Sequence, residues 1–212
     1  MHAVLVAGSN AVLRPDKAAL SAADLLVAVD AGAETLTGAG LIPAVLVGDM
    51  DSVTPQTRKH FEGKGVETVV LPQAKDETDL EAALRLVVDR GADRITVYGA
   101  LGGPRLDHMA GNLLLLTASW LDGVAVRLVD DLHEVFAAQG DAQIAGEEGD
   151  LVSLLPLTRQ VHDVCTQGLL YPLSGDTLEQ ASTRSLSNAM TASTARVTHG
   201  PGTLLVVHYR GR

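Results

Sequence analysis

Acidic residues at the ends of short apolar runs are the groups best placed to do chemistry in this sequence of 212 residues. Val47-Gly48-Asp49-Met50-Asp51-Ser52 follows the run Ala44 to Val47, whose apolar, β-branched character predicts a strand buried on both faces. Gly48 allows a tight exit, and two carboxylates then stand at i and i+2. Ligands of an open parallel sheet bind at the carboxyl ends of its strands, where such a pair would meet a hard cation and its phosphate ligand. On its own the pair is as readily a turn or cap feature, because Asp is common in loops.

Other strand ends add to it. Leu25 to Val29 ends in Asp30, and the polar loop after Val66 to Leu71 carries Lys75, Asp76 and Asp79. Arg94 to Tyr98 runs into Gly99-Ala100-Leu101-Gly102-Gly103, with Arg105, Asp107 and His108 beyond. In a parallel sheet all of these would meet on one edge. Clustered carboxylates repel one another unless a divalent cation neutralises them, and oxygen-only ligands point to magnesium shared with substrate phosphates. There is no G-x-x-x-x-G-K-[ST] run and no G-x-G-x-x-G after the first strand. Gly102, Gly103 and the start of the following helix can still receive phosphate through backbone amides.

The elements that must position these groups alternate. Strands are expected at His2–Ala7 (running into Gly8-Ser9-Asn10), Leu25–Val29, Ala44–Val47, Val66–Leu71, Arg94–Tyr98 and Val124–Val129. Helices are expected near Asp16–Ala23, over Ala31–Gly40, from Pro55 to Lys64, from the capping box Thr78-Asp79-Leu80-Glu81 to Arg90, and from Leu106 to Leu121. This order predicts an α/β fold with a mostly parallel sheet flanked by helices. After Asp130 the helical period vanishes. Short β-type runs follow at His133–Ala137, Leu151–Leu155, Val161–Cys165, Leu169–Leu173, Ala195–Thr198 and Thr203–Tyr209, as in an antiparallel β-sandwich. The expected division is residues 1–130, an α/β catalytic domain, and 131–212, a β-sandwich domain.

A net charge of −10 argues against a general nucleic-acid or anionic-membrane surface. With 46% hydrophobic but only 3% aromatic residues, Leu, Val and Ala must fill the core. The lone Cys165 cannot form an intrachain disulfide and reads as a small buried hydrophobe. No apolar segment reaches membrane-spanning length and no basic leader precedes the first strand, so a soluble cytoplasmic protein is expected. His108 beside a helix start reads equally as a base or a packing group, and Asp107 as a ring-recognising carboxylate or a cap.

The stretches Val29-Asp30-Ala31-Gly32-Ala33, Gly48-Asp49-Met50-Asp51-Ser52, Lys75-Asp76-Glu77-Thr78-Asp79 and Gly99 to His108 resemble, in order and spacing, the thiamine pyrophosphokinase family. Gly149 to Pro156, Gly168 to Leu173 and Leu186-Ser187-Asn188 resemble its C-terminal half. The sequence departs from the family pattern at Ala31, Met50 and Pro104. The resemblance implies transfer of the diphosphate of ATP to the hydroxyl of thiamine, with release of AMP, by a homodimer whose active site lies near the interface. It implies magnesium on Asp49, Asp51 and Asp79 with Asp30 close by, and Lys75 and Asp76 beside the triphosphate. It also implies Arg105, Asp107, His108 and Asn112 in the cleft, with Asp107 counted among the catalytic groups, and Ser187 and Asn188 in the thiamine pocket. Alternatives are a diphosphokinase acting on another hydroxymethyl acceptor such as a pterin, or a non-catalytic thiamine- or nucleotide-binding protein.

Overall fold

The computed structural model describes residues 1–8 and 17–211. The expected loop residues Ser9 and Asn10 and the expected helix start at Asp16 lie outside the described residues. The chain divides into two compact units, Met1–Asp131 and Leu132–Arg212.

In the first unit strands and helices alternate: β1 (His2–Ala7), α1 (Lys17–Ser21), β2 (Leu25–Val29), α2 (Gly32–Ala39), β3 (Val45–Gly48), α3 (Pro55–Glu62), β4 (Glu67–Val70), α4 (Asp79–Asp89), β5 (Arg94–Tyr98), α5 (Leu106–Leu115) and β6 (Ala125–Val129). The six strands pair in parallel in the order β6-β5-β1-β2-β3-β4. The chain steps outward from β1 to β4 and then returns to the other side of β1, so the order switches between β1 and β5. Ligand sites in open α/β sheets sit beside such a switch.

Local chemistry sets the helix boundaries. The Thr54 hydroxyl accepts a hydrogen bond from Thr57 N at 3.2 Å and Pro55 fills the first helical position of α3. Thr78 does the same for Glu81 N at 3.2 Å and starts α4. Gly40, at φ 71°, stops α2 in the left-handed conformation that glycine adopts freely. Val4, Val6, Ala28 and Leu46 of the sheet pack with Leu20, Leu36 and Phe61 of the first three helices. Phe61 is fully buried, and truncating such a ring costs about 3–5 kcal/mol. Helix α4 lies on β1, β2 and β3 with its own buried set, Leu80, Ala83, Leu84 and Val87.

The helix expected to reach Leu121 ends at Leu115. The Thr117 hydroxyl donates to Leu114 O at 2.8 Å, taking a carbonyl of the last turn. A separate 3₁₀ turn then covers Ser119–Leu121. A continuous apolar run does not reveal such a break.

The second unit is antiparallel. One sheet has the order β12-β9-β14-β7, from β7 (His133–Ala138), β9 (Leu151–Pro156), β12 (Asn188–Ala189) and β14 (Leu204–Tyr209). The other has the order β11-β10-β13-β8, from β8 (Ala142–Ala145), β10 (Gln160–Gln167), β11 (Ser174–Glu179) and β13 (Thr194–Thr198). Side chains of both sheets share one core, among them Phe136, Val152 and Val206 with Ile144, Val164 and Val197. This is sandwich packing.

The run Leu169–Leu173 is not a strand, and only Leu169 forms a bridge, to Met190. The Asn188 side chain takes the place of a neighbouring backbone there: its Oδ1 accepts from Tyr171 N at 3.0 Å and its Nδ2 donates to Tyr171 O at 2.7 Å. Pro172 has no N–H to offer. Conversely, Ser174-Gly175-Asp176, which no expected strand covers, pairs with β10 through two register shifts.

Candidate active site

Asp30 directly follows β2. Its amide donates to Val47 O at 2.8 Å, tying the ends of β2 and β3 together. A Cβ on Gly48 would come within 3.1 Å of both Cα and Cβ of Asp30, so glycine is what permits that approach. At Gly32 a Cβ would fall 1.8 Å from Val6 O, so the start of α2 can sit on the end of β1 only as glycine. Asp30 and Met50 hold φ of 46° and 67°, left-handed values that cost non-glycine residues of order 1–3 kcal/mol each. Both residues adjoin the clustered carboxylates; Asp163, Ala181, Ser185 and Ser187 take positive φ elsewhere.

Asp30, Asp49 and Asp79 each direct a carboxylate oxygen into one group whose members lie within 4.8 Å of one another. Asp30 Oδ1 and Asp79 Oδ1 are buried and make no hydrogen bond. Lys75 Nζ lies 3.1 Å from Asp79 Oδ1, near enough for an ion pair but not aligned as a hydrogen bond; it donates to Pro72 O at 3.1 Å instead. Burial raises the Asp30 pKa, and the negative charges of Asp79 and Asp51 add to that against hydrogen bonds from Ser52 and the Ala31 amide. Three clustered carboxylates, two of which keep a buried oxygen without a hydrogen bond, fit a divalent cation such as magnesium.

Asp51 takes a different part. Its amide donates to Asp49 Oδ1 at 3.0 Å, and its exposed carboxylate accepts from the Ser52 hydroxyl at 2.8 Å. It is absent from the group of three, whose third member is Asp30. The left-handed turn at Met50 separates the two side chains that i, i+2 spacing would aim together.

A cleft of about 400 Å³ adjoins the carboxylates and is lined by Asp30, Asp79, Gly102, Gly103, Arg105, His108 and Asn112. Gly102 and Gly103 take φ of 86° and 88° with open space beyond their Cα atoms; backbone conformation, not crowding, calls for glycine there. Asn112 Nδ2 donates to Ala100 O at 2.9 Å and braces this loop. Arg105 donates twice to Asp107, at 2.9 and 2.6 Å, and holds that carboxyl far below the usual range. Asp107 is exposed in the first turn of α5 and does not line the cleft, and Asp76 is exposed on the loop before α4. Thr78 and Ser52 also line the cleft. Their sequence signals were a cap and a turn, which do not announce a site.

Of the two expected residues in the second unit, Ser187 is exposed, with φ 55° and its amide donating to Ser153 Oγ at 2.9 Å. Asn188 is buried and engaged with the Tyr171 backbone. It borders a pocket of about 290 Å³ with apolar walls from Val152, Leu154, Leu169 and Leu173 and polar groups from Thr166, Arg184 and Ser185. The Tyr171 ring, 70% exposed, stands at its rim.

Comparison with known proteins agrees with this arrangement. Residues 17–128 match the family model described as the thiamin pyrophosphokinase catalytic domain, and residues 140–203 the one described as its vitamin B1 binding domain. The chain is 31% identical over 206 residues to thiamine pyrophosphokinase of Bacillus subtilis, covering 96% of each sequence. The crystal structure of the Bacillus subtilis protein superposes with a TM-score of 0.90 at 30% identity, covering 100% of both chains. That of thiamin pyrophosphokinase from Geobacillus thermodenitrificans gives 0.86 at 27%, covering 100% of this chain and 98% of the other. The chain belongs to the thiamine pyrophosphokinase family.

Proposed function

We propose that this protein is a thiamine diphosphokinase: it moves the diphosphate of ATP to the hydroxyl of thiamine and releases AMP. The observation that carries the reading is the strained edge where Asp30, Asp49 and Asp79 converge beside a glycine-lined cleft. These three carboxylates would hold magnesium, and Asp51 supports the turn that presents Asp49. Magnesium, when bound, screens the triphosphate and draws charge from the phosphorus under attack. Lys75 adds a positive charge at the same place, and the amides of Gly102 and Gly103 receive phosphate oxygens. Asp76 flanks the triphosphate side, and His108 and Asn112 shape the cleft. Asp107, held ionised by Arg105, is a weak proton acceptor and acts by orienting that arginine.

Thiamine attacks the β-phosphorus directly, in line, and its hydroxyl proton leaves through the carboxylate cluster. No enzyme-bound phosphoryl group forms. The pocket beside Asn188, with Ser187 at its border segment, takes up the ring system of thiamine, which needs apolar walls and few polar groups. The protein works as a cytoplasmic homodimer. Helix α5 supports the dimer, because none of its residues is buried although Leu106, Leu113, Leu114 and Leu115 dominate it, and Leu106 is 72% exposed. Among the described residues no helix is long and apolar enough to cross a membrane.

Incubation with ATP, magnesium and thiamine is expected to yield AMP and thiamine diphosphate in equal amounts. Release of ADP, or of AMP without thiamine diphosphate, would refute the reaction. Light scattering is expected to give twice the chain mass.

A further inference from the structure

The loop that carries Asp49 is fastened at its far end by a residue outside the carboxylate group. Helix α2 starts two residues after Asp30, and its Glu34 reaches to the start of α3. Glu34 Oε1 accepts from Thr54 N at 2.8 Å, and Oε2 accepts from the Thr57 hydroxyl at 2.8 Å. Thr57 is 3% exposed. Partial burial raises the Glu34 pKa, but the Thr54 amide and the hydroxyls of Thr57 and Thr54 outweigh it and leave the carboxyl below its ordinary value.

The missing local partner explains why such a link is needed. In a capping box the residue at the third helical position reaches back to the amide of the N-cap. That position in α3 is Thr57, whose side chain is too short for the task. Glu34 supplies the bond from a neighbouring helix instead. Between Val47, tied to Asp30, and Thr54, tied to Glu34, lie only Gly48, Asp49, Met50, Asp51, Ser52 and Val53. Val53 and Met50 pack on the core beneath. Asp30 stands four residues before Glu34, just ahead of α2, so the bond ties the far end of the Asp49 loop to the segment that carries Asp30.

We infer that Glu34 is a positioning residue for the metal-binding carboxylates, fixing Asp49 and Ser52 against Asp30 through Thr54 and Thr57. The inference rests on the magnesium reading above.

The test follows Mn²⁺ binding by the resonance of the free ion, with thermal midpoints and steady-state kinetics, in Glu34→Ala, Glu34→Gln, Thr57→Val and Asp49→Asn. Glu34→Ala is expected to weaken Mn²⁺ binding and lower kcat by about 10- to 100-fold, the range of a lost charged hydrogen bond, with the thiamine KM nearly unchanged. Glu34→Gln keeps an acceptor for the Thr54 amide and should recover to within about threefold of wild type. A lowered midpoint with unchanged Mn²⁺ affinity would reduce Glu34 to a structural cap and overturn the inference. Should Glu34→Ala not fold, Thr57→Val decides: weakening of about three- to tenfold supports the role, and no change overturns it. Asp49→Asn separates the two levels. If it binds Mn²⁺ like wild type, the magnesium reading falls and the inference with it. If it loses Mn²⁺ while the Glu34 and Thr57 variants keep it, only the inference falls.

Discussion

The carboxylate edge of the first unit and the pocket of the second treat polar groups in opposite ways. At the edge, Asp30 and Asp79 each keep a buried oxygen without a hydrogen bond, and like charges lie close together. In the pocket, Asn188 spends both ends of its amide on Tyr171, and the walls are mostly aliphatic. One region sets three clustered carboxylates against the ammonium of Lys75. The other is finished, and offers a shape. In the proposed function a charged phosphate and an aromatic ring pair place these two different demands, one on each unit.

Removing a charge from the carboxylate edge should have the largest effect. Asp49→Asn or Asp79→Asn is expected to lower turnover by at least ~10², the scale of losing one preorganised electrostatic group. The thermal midpoint of the metal-free protein should hold or rise, because repulsion is relieved. Turnover near wild type at saturating magnesium would erase the contrast between the regions. Breaking the finished region should act more narrowly. Asn188→Ala strands the Tyr171 N–H and C=O, a loss of roughly 1–3 kcal/mol, and is expected to raise the thiamine KM about tenfold. The KM for magnesium-ATP should stay put; parallel changes in both constants would show that the pocket does not serve the acceptor.

The smallest effect is one of pH. Burial raises the Asp30 pKa in the folded protein above its unfolded value. The folded state therefore binds this proton more tightly, and the associated stability is present below the ordinary carboxylate range. It is lost as pH rises through the elevated folded value. Thermal midpoints in chelator should fall across that window in the wild type and fall less in Asp30→Asn. An identical slope in the two proteins would remove Asp30 as the source.

The sequence made the edge legible because each carboxylate follows an apolar run, and strand ends in a parallel sheet converge without further information. It did not tell which of the carboxylates turn inward. Asp51 looked equivalent to Asp49 at i, i+2 spacing, yet the Met50 turn sends it to Ser52 while Asp30 joins the group. Glu34 was unreadable for a related reason: its partners lie in another helix, 20 and 23 positions on. In the second unit, only the family resemblance points to Asn188, and its bonds to Tyr171 depend on a pairing across 17 positions. The same bonds removed an expected strand. Long-range side-chain substitutes for backbone pairing leave no periodic trace.

Gly8 and Ala31 share a single methyl-sized space. A Cβ placed on Gly8 would lie 2.4 Å from the Cβ of Ala31, so the pair has room for one methyl, not two. Alanine at position 8 would need Ala31 shortened to glycine, and even then its Cβ would stand 3.1 Å from Cα and 3.2 Å from the carbonyl carbon of position 31, so one of the two segments would have to shift as well. Ala31 is in this sense a departure whose cost falls on its neighbour, since its presence restricts position 8 to glycine.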